Sequence, residues 1–369
     1  MDEEIKKIAK KHNFNIKNCS VLGKGGYGIV YCITVKDNKY AWKIVKVNKK
    51  FKDKNKLNEG IKSIENEFAW SRNIKSKYCI RTFSIFKDEE KNIIYYSLVM
   101  EYALFSDLKY FTYYFYEANL LKLNNKKDLF QNIQHMSLLL IKFILYQLIH
   151  SLLFLKEHHL IHCDIKAENI LICSSFHFKL GDFSVMKLKK EKENIKLNSS
   201  TWNIKGPEYY NIDKTIENDI CYQIDIYSIG LIIYFIYYYQ HIIENNLKDY
   251  LKDNQKALEE KKEIIIKKIH DAQNKINNDD TLKNEKEFKD LLISLFKENI
   301  NERPNVESLL VNKWINKDLD IIEIIKNVNE NEEIKFFFEL QKNKKKKKRE
   351  KNFLFTKINF SIIFYELIF

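Results

Sequence analysis

The segment Val21–Val30 reads VLGKGGYGIV and holds the first residues whose spacing could do chemistry. Gly23, Gly25 and Gly28 fit G-x-G-x-x-G, and Val30 extends the pattern by one apolar position. Glycines at this spacing let backbone N–H groups approach phosphate oxygens with no Cβ in the way. Alone the pattern is weak, because the same glycines can open a dinucleotide-binding turn between a strand and a helix. The context separates the two. Residues 29–35, IVYCITV, are β-branched and aromatic and predict a strand after the turn, not a helix. The turn therefore reads as a hairpin flap, and the dinucleotide reading fails its own context. A plain glycine-rich hairpin stays open at this point.

Further segments follow in order: AWK at 41–43, EFAWSRNI at 67–74, SLVMEY at 97–102 and IHCDIKAEN at 161–169. Then come LGDFS at 180–184, STWNIKGPE at 200–208, DIYSIG at 225–230 and NERP at 301–304. Together with the glycine turn they resemble the protein kinase family, Ser/Thr type, across residues 17–317. The resemblance implies an α+β, two-lobed fold: a small antiparallel β lobe with one helix, and a larger, mainly helical lobe. It implies ATP and Mg2+ as cofactors, with protein Ser or Thr hydroxyls as the acceptors.

The same resemblance implies roles for single residues. Lys43 would hold the α- and β-phosphates, paired with Glu67 on the following helix; Glu65 and Glu59 are rivals for that pairing. Leu22, Val30 and Ala41 fall with the glycines in the implied ATP site. Met100 would be the gatekeeper, the backbone of Glu101 and Ala103 would take the adenine edge, and Leu171 would lie beneath the ring. Asp107 stands where the family often places a ribose-binding acid, and an N-cap for the next helix is the other reading. Asp164 would accept or orient the proton of the substrate hydroxyl, and Lys166 would neutralise the moving phosphoryl group. Asn169 and Asp182, the latter 18 residues after Asp164, would give Mg2+ hard oxygen ligands shared with phosphate. Thr201 would face the substrate, Asp225 would anchor the catalytic loop, and Arg303 would pair with Glu208.

The chain has only eight Gly and two Pro. Seven of those glycines fall in the segments above, with Gly60 the exception, and both prolines, Pro207 and Pro304, are motif prolines. In a chain this poor in both, the survivors are expected where backbone or space requires them.

Three positions depart from the family pattern. Cys163 replaces the Arg that usually precedes the catalytic Asp and receives an activation-loop phosphate, so activity is expected without that contact. Ser184 replaces the Gly of D-F-G, which should make a flipped metal loop rarer. Ser71 is polar where the Glu-bearing helix usually offers an apolar residue, which thins the packing column there. Cys163 also invites a reactive-thiol reading beside His162 and Lys166, against a buried inert thiol. His162 itself reads as a packed histidine.

The elements that must position these residues are legible in outline. Residues 1–16 read as a short helical or frayed lead-in. Residues 19–47 predict a strand, a tight turn, a strand and a third strand at Lys39–Val47. Residues 58–75 suit a helix, and Phe83–Phe86 and Ile93–Met100 read as strands joined by a charged turn at Lys87–Asn92. The small lobe is thus 17–100 and the large lobe 101–317. Met136–Leu155 and Ile226–Tyr239 are apolar but read as core helices, since the first holds Lys142, Gln147 and His150 and the second has only 14 residues. Polar segments at 119–134 and 244–287 read as surface insertions. The Lys/Glu-rich part, Leu247–Ile276, reads as solvated or as a partner-binding helix.

Net charge is +13, of which the last 29 residues carry +7, so the other 340 carry +6. No specific nucleic-acid binding is expected of the body. The tail, 318–369, contains six consecutive basic residues at Lys344–Arg349 and then an apolar run. A weak membrane-surface contact, a nuclear-localisation patch or no function are its three readings. The six Cys show no CxxC pair, and the charged opening lacks a secretory signal, which favours a cytoplasmic or nuclear setting with reduced thiols. Catalysis competes with a pseudokinase-type scaffold that keeps the fold; Lys43, Asp164, Lys166, Asn169 and Asp182 favour catalysis.

Overall fold

The computed structural model describes residues 2–25, 28–50, 54–122, 135–190, 194–196, 205–211, 215–243 and 255–317. Five strands build the small lobe: β1 (Asn15–Gly25), β2 (Gly28–Val35), β3 (Asn38–Asn48), β4 (Thr82–Glu90) and β5 (Ile93–Glu101). Their order in the sheet is β1-β2-β3-β5-β4, with every pairing antiparallel. The first three strands are sequential hairpins. The helix α2 (Lys54–Asn73) then leaves the sheet, so that β5 lies beside β3 and β4 takes the edge.

β4 is longer than the sequence suggests. It runs through the charged residues to Glu90, and only Lys91 and Asn92 make the turn, with Lys91 at φ 56°. An edge strand tolerates this charge because one side of it meets no further strand. Asp88 on β4 is nevertheless 4% exposed, held by Lys11 at 2.5 Å and His12 at 2.9 Å.

Those two cations belong to an opening helix, α1 (Glu3–Lys11), and its C-cap. The lead-in is therefore helical and packed. Ile5, Ile8 and Ala9 are buried on the outer face of the sheet against Tyr31, Ile33, Trp42, Ile44, Tyr95 and Val99. Alternation along the strands puts Val45, Val47, Ile94, Tyr96 and Leu98 on the opposite face, where Phe68 of α2 packs. Both faces of β3 are thus covered, which a sheet without α1 could not achieve. Ile8→Ala is expected to cost about 2–5 kcal/mol, the range for emptying a buried Ile site. A fall in the thermal midpoint checks it.

The large lobe is built on α3 (Leu108–Lys122), α4 (Leu138–Glu157) and, later, α5 (Gln223–Tyr238). Between α4 and α5 lie the short strands β6 (Leu160–Ile161), β7 (Ile170–Ile172), β8 (Phe178–Leu180), β9 (Lys187–Leu188), β10 (Ile195–Lys196) and β11 (Thr215–Ile216). α4, and α5 taken together with the turns before it (Asn218–Tyr238), are long and apolar enough to cross a membrane by length and composition, but most of each is buried inside this lobe. The polar residues of α4 have internal partners. Gln147 Oε1 accepts the Phe178 N–H at 3.1 Å, and Lys142 Nζ donates to the Lys317 carbonyl at 2.9 Å above the Trp314 ring.

The C-terminal part adds α6 (Gln255–Asn277), α7 (Lys286–Leu295), α8 (Val306–Leu310) and α9 (Lys313–Asn316). α6 corrects the reading of Leu247–Ile276 as solvated. Leu258, Lys261, Ile265, Ile269, Ala272 and Ile276 form a buried stripe at helical spacing. The proposed insertion at 119–134 beyond Lys122, residues 244–254, Thr201 and the whole tail from 318 lie outside the described residues.

Candidate active site

Alternation along β3 places Trp42 and Ile44 under α1, and Ala41 and Lys43 on the other face. Lys43 sits opposite Val30 of β2 and Leu98 of β5. Its ammonium reaches Glu67 Oε1 at 2.5 Å and Asp182 Oδ1 at 3.3 Å. Glu65 is turned elsewhere, accepting from the Tyr96 hydroxyl at 3.2 Å. Two residues rotate a helix by about 200°, so Glu65 and Glu67 cannot face the same way. The Glu59 side chain lies outside the described residues.

Burial alone would lower the pKa of Lys43, but the Glu67 and Asp182 carboxylates hold it above its ordinary value. Burial pushes the Glu67 carboxyl up, against the pull of Lys43. Burial also pushes Asp182 up, yet the charge of Lys43, with the Ser184 hydroxyl nearby, brings it below the ordinary carboxylate range. Asp182 adopts φ 60°, a left-handed conformation that Asp tolerates better than most side chains.

The loop after β6 carries the second group. Its backbone is pinned by Asp225 near the start of α5, which accepts the N–H of His162 at 2.7 Å and of Cys163 at 2.9 Å. Asp225 is 1% exposed, and burial raises its carboxyl despite those two amides. Cys163 takes φ 63° at this bend. Its thiol is buried and pushed well above its ordinary pKa by burial, which favours the inert reading over the reactive one. His162 is fully used: Nε2 meets the Gly181 carbonyl at 3.1 Å, and Nδ1 takes the Asp164 N–H at 3.3 Å. A carbonyl can only accept and an amide N–H can only donate, so the ring is the Nε2–H tautomer in a packing role.

Asp164 Oδ2 is held by Lys166 Nζ at 2.6 Å and Asn169 Nδ2 at 3.2 Å. Asn169 Nδ2 also donates to the Asp164 carbonyl at 2.9 Å, so the Asn169 amide oxygen is its remaining ligand atom. Gly181, directly before Asp182, donates its N–H to the Asn169 carbonyl at 2.8 Å. Asn169 and Asp182 are thereby fixed as neighbours. Among the described residues no group of three or more His, Cys, Asp or Glu could hold a metal alone. Two oxygen donors fit a cation that takes its other ligands from phosphates and water, as Mg2+ does.

The remaining expected residues lie on β1, β2, β3, β5 and β7 and in the turn before α3. Gly23 and Gly28 lie on β1 and β2, and Gly25 pairs with Gly28 across the hairpin. Gly28 has φ +117°, and a Cβ there would stand 2.3 Å from the Ile44 carbonyl oxygen, so this position needs glycine twice over. Leu22 is exposed on β1, and Val30 is half-buried on β2. Ala41 pairs with Met100 across β3 and β5. Leu171, half-buried on β7, bridges to Asp107. Asp107 Oδ1 accepts the Tyr110 N–H at 2.8 Å, which makes it a cap for α3. The Glu101 N–H goes to the Arg81 carbonyl at 2.9 Å, so only the carbonyl of that residue can serve a ligand edge; Ala103 follows just beyond β5.

Two features escape the sequence. The Glu101 side chain is clamped by Lys179 Nζ at 2.7 and 2.8 Å, tying the end of β5 to β8. The only signal was a charge within the apolar strand Phe178–Leu180. Ser63 Oγ donates to the Ser184 carbonyl at 3.3 Å, joining α2 to the loop after Asp182. Further off, Arg303 and Glu208 form the expected two-pronged pair at 2.8 and 2.8 Å.

Comparison with known proteins agrees with this geometry. The family described as protein kinase domain matches residues 16–315. A probable serine/threonine-protein kinase of Dictyostelium discoideum is 30% identical over 293 residues, covering 73% of this chain and 57% of its own. Another from that organism is 28% identical over 239 residues, 63% of this chain and 45% of its own. Serine/threonine-protein kinase 33 of Bos taurus is 25% identical over 226 residues, 58% and 40% respectively. The chain spans about half the length of the relatives it matches.

Proposed function

This chain belongs to the protein kinase family, and we propose that it transfers the γ-phosphoryl of Mg-ATP to Ser or Thr hydroxyls of proteins. One observation carries the reading: Lys43 meets both Glu67 and Asp182, residues 24 and 139 positions away, in a buried and a part-buried contact. A cation so placed sits between a fixed anion and a loop able to hold a metal, which suits it to a polyphosphate. Mg2+, when bound through Asn169 and Asp182, neutralises phosphate charge.

The chain's own residues then divide the work. The Gly23–Gly28 hairpin offers N–H groups to phosphate oxygens, and Lys43 adds a fixed charge. Asp164, its carboxylate oriented by Lys166 and Asn169, accepts the proton of the acceptor hydroxyl. Lys166, held on the Asp164 carboxylate, offsets charge on the moving group. Met100, Ala41 and Leu171 bound the adenine, and Asp107 can reach a ribose only with the oxygen not capping α3.

The test is transfer from Mg-ATP to a generic basic protein, with Asp164→Asn as control. The reading expects transfer by the natural chain alone. Equal signals overturn it, and nucleotide binding without transfer would favour the scaffold. A second expectation follows from Cys163, which offers a buried thiol where the family has a cation. Phosphatase treatment should leave most activity intact, as measured by the same assay. A large loss would show that activation depends on phosphate after all.

A further inference from the structure

We propose, resting on the reading of Lys43 as the phosphate-holding cation, that α1 is a brace for strand β3. Docking of α1 on the outer face of the sheet is then linked to nucleotide binding at Lys43 on the inner face. α1 lies before residues 16–315, the part matched to the family, so this brace is an addition to the shared domain.

The fit between α1 and the sheet has a direction. Lys46 of β3, Tyr95 of β5 and Asp88 of β4 stand in one row across three strands. α1 meets them in order. Asp2, just before the helix, pairs with Lys46, and Glu4 in the first turn accepts the Tyr95 hydroxyl. Lys11 and His12, at the other end, hold Asp88 at 2.5 and 2.9 Å. His12 also stacks on Phe86 of β4 with ring centroids 3.8 Å apart. The nine residues of the helix rise about 13 Å and two strand spacings are about 10 Å, so α1 spans the row. A reversed helix would set Lys11 against Lys46, so only this direction pairs opposite charges.

Between these pins, Ile5, Ile8 and Ala9 share one buried cluster with Trp42 and Ile44, which are 0% and 1% exposed. With Lys46, α1 thus holds three alternate residues of β3, and Lys43 stands among them on the opposite face. The glycine hairpin follows the same strand, because the Gly28 backbone approaches the Ile44 carbonyl too closely for any Cβ. A helix of nine residues does not persist alone in water. α1 is therefore helical only while docked, which makes it a two-state element. Whatever affinity ATP gains from a braced Lys43, docking gains from bound ATP by the same factor.

The test uses the full chain. In the natural chain, saturating Mg-ATP should slow amide hydrogen exchange of residues 5–11 by about 5-fold, the low end of coupling between linked sites, with exchange in α8 unchanged. Ile5→Asp combined with Ile8→Asp puts two charges on the docking face, and it should raise the dissociation constant for Mg-ATP by the same factor. Should that variant not fold, the natural-chain comparison decides alone. Lys11→Glu sets like charge beside Asp88. Without nucleotide it should speed exchange of 5–11 by about 10-fold, the scale of a hydrogen bond to a charged group, and that of 42–46 to a lesser degree. Adding Asp88→Lys restores opposite charges and should return both rates. Equal exchange of 5–11 with and without Mg-ATP overturns the link. Slowing that extends equally to α8 reports stabilisation of the whole chain and overturns it too. Acceleration by Lys11→Glu confined to 5–11 overturns the brace, since β3 would not feel α1. A chain that binds Mg-ATP and couples it to α1 but transfers no phosphoryl loses the catalytic reading and keeps this one, so the two fail separately.

Discussion

Asp164→Asn is expected to cut phosphoryl transfer by about 100- to 10,000-fold, the usual worth of a positioned general base. The substitution keeps the side-chain volume and can still accept a hydrogen bond from Lys166 through its amide oxygen. It removes the negative charge and with it the capacity to take a proton. Lys166, 2.6 Å away, loses its counter-charge, so its own placement weakens as well. ATP binding should survive, because the Lys43, Glu67 and Asp182 contacts lie on other elements. The expected pattern is therefore a fall in kcat with KM for ATP little changed, and an unaltered melting curve. A variant that transfers at the natural rate would remove Asp164 from the reaction.

Arg303→Ala should be the most damaging single change to stability away from the site. The Arg303 side chain is fully buried and the Glu208 side chain is 5% exposed. Two N–H groups of the guanidinium meet the two Glu208 oxygens at 2.8 Å each, Nε donates to the Lys297 carbonyl at 2.8 Å, and the Tyr227 ring lies 4.4 Å below. Removing the cation strands the Glu208 carboxylate in the core. Breaking one partner of such a pair costs about 3–5 kcal/mol, which at this domain size lowers the thermal midpoint by about 5–8 °C. Pairing the change with Glu208→Gln should recover part of the loss, because no buried charge is then left alone. A loss below about 1 kcal/mol would place this pair with weak surface bridges. The same carboxylate explains Gly206. A Cβ at 206 would stand 2.4 Å from Glu208 Oε2, and Arg303 prevents the carboxylate from moving aside.

Local information suffices for part of the site. The loop from Ile161 to Asn169 is legible through its resemblance to the family segment, and Asp164, Lys166 and Asn169 contact one another locally, while Asp225 pins the backbone from a distance. The same holds for the hairpin at Gly23–Gly28, where the β-branched run after it excluded a helix. Glu67 is legible from its match to the family's Glu-bearing segment, and helix phase then explains why Glu65 cannot share its place.

Other features depend on long-range placement. The packing of α1 is not legible, since nothing in EEIKKIAKK says that a bare sheet face waits to be covered. The stripe of α6 was present as a spacing of three and four, but Lys261 sits within it and the surrounding Lys and Glu hid it. The end of β4 is hidden in the sequence because charge on an edge strand looks like charge in a turn.

The identity of the chemical groups, and their order, was thus set by sequence alone: five side chains suited to phosphoryl chemistry on a glycine-marked frame poor in glycine elsewhere. What only the tertiary structure decided is how those groups are held. Lys43 and Asp182 are joined by packing two lobes together, and Ser184 gains its partner only when α2 lies across the loop. The reason is physical. A residue type and its neighbours fix what an atom can donate or accept, whereas contacts spanning more than a hundred positions exist only after the chain has folded.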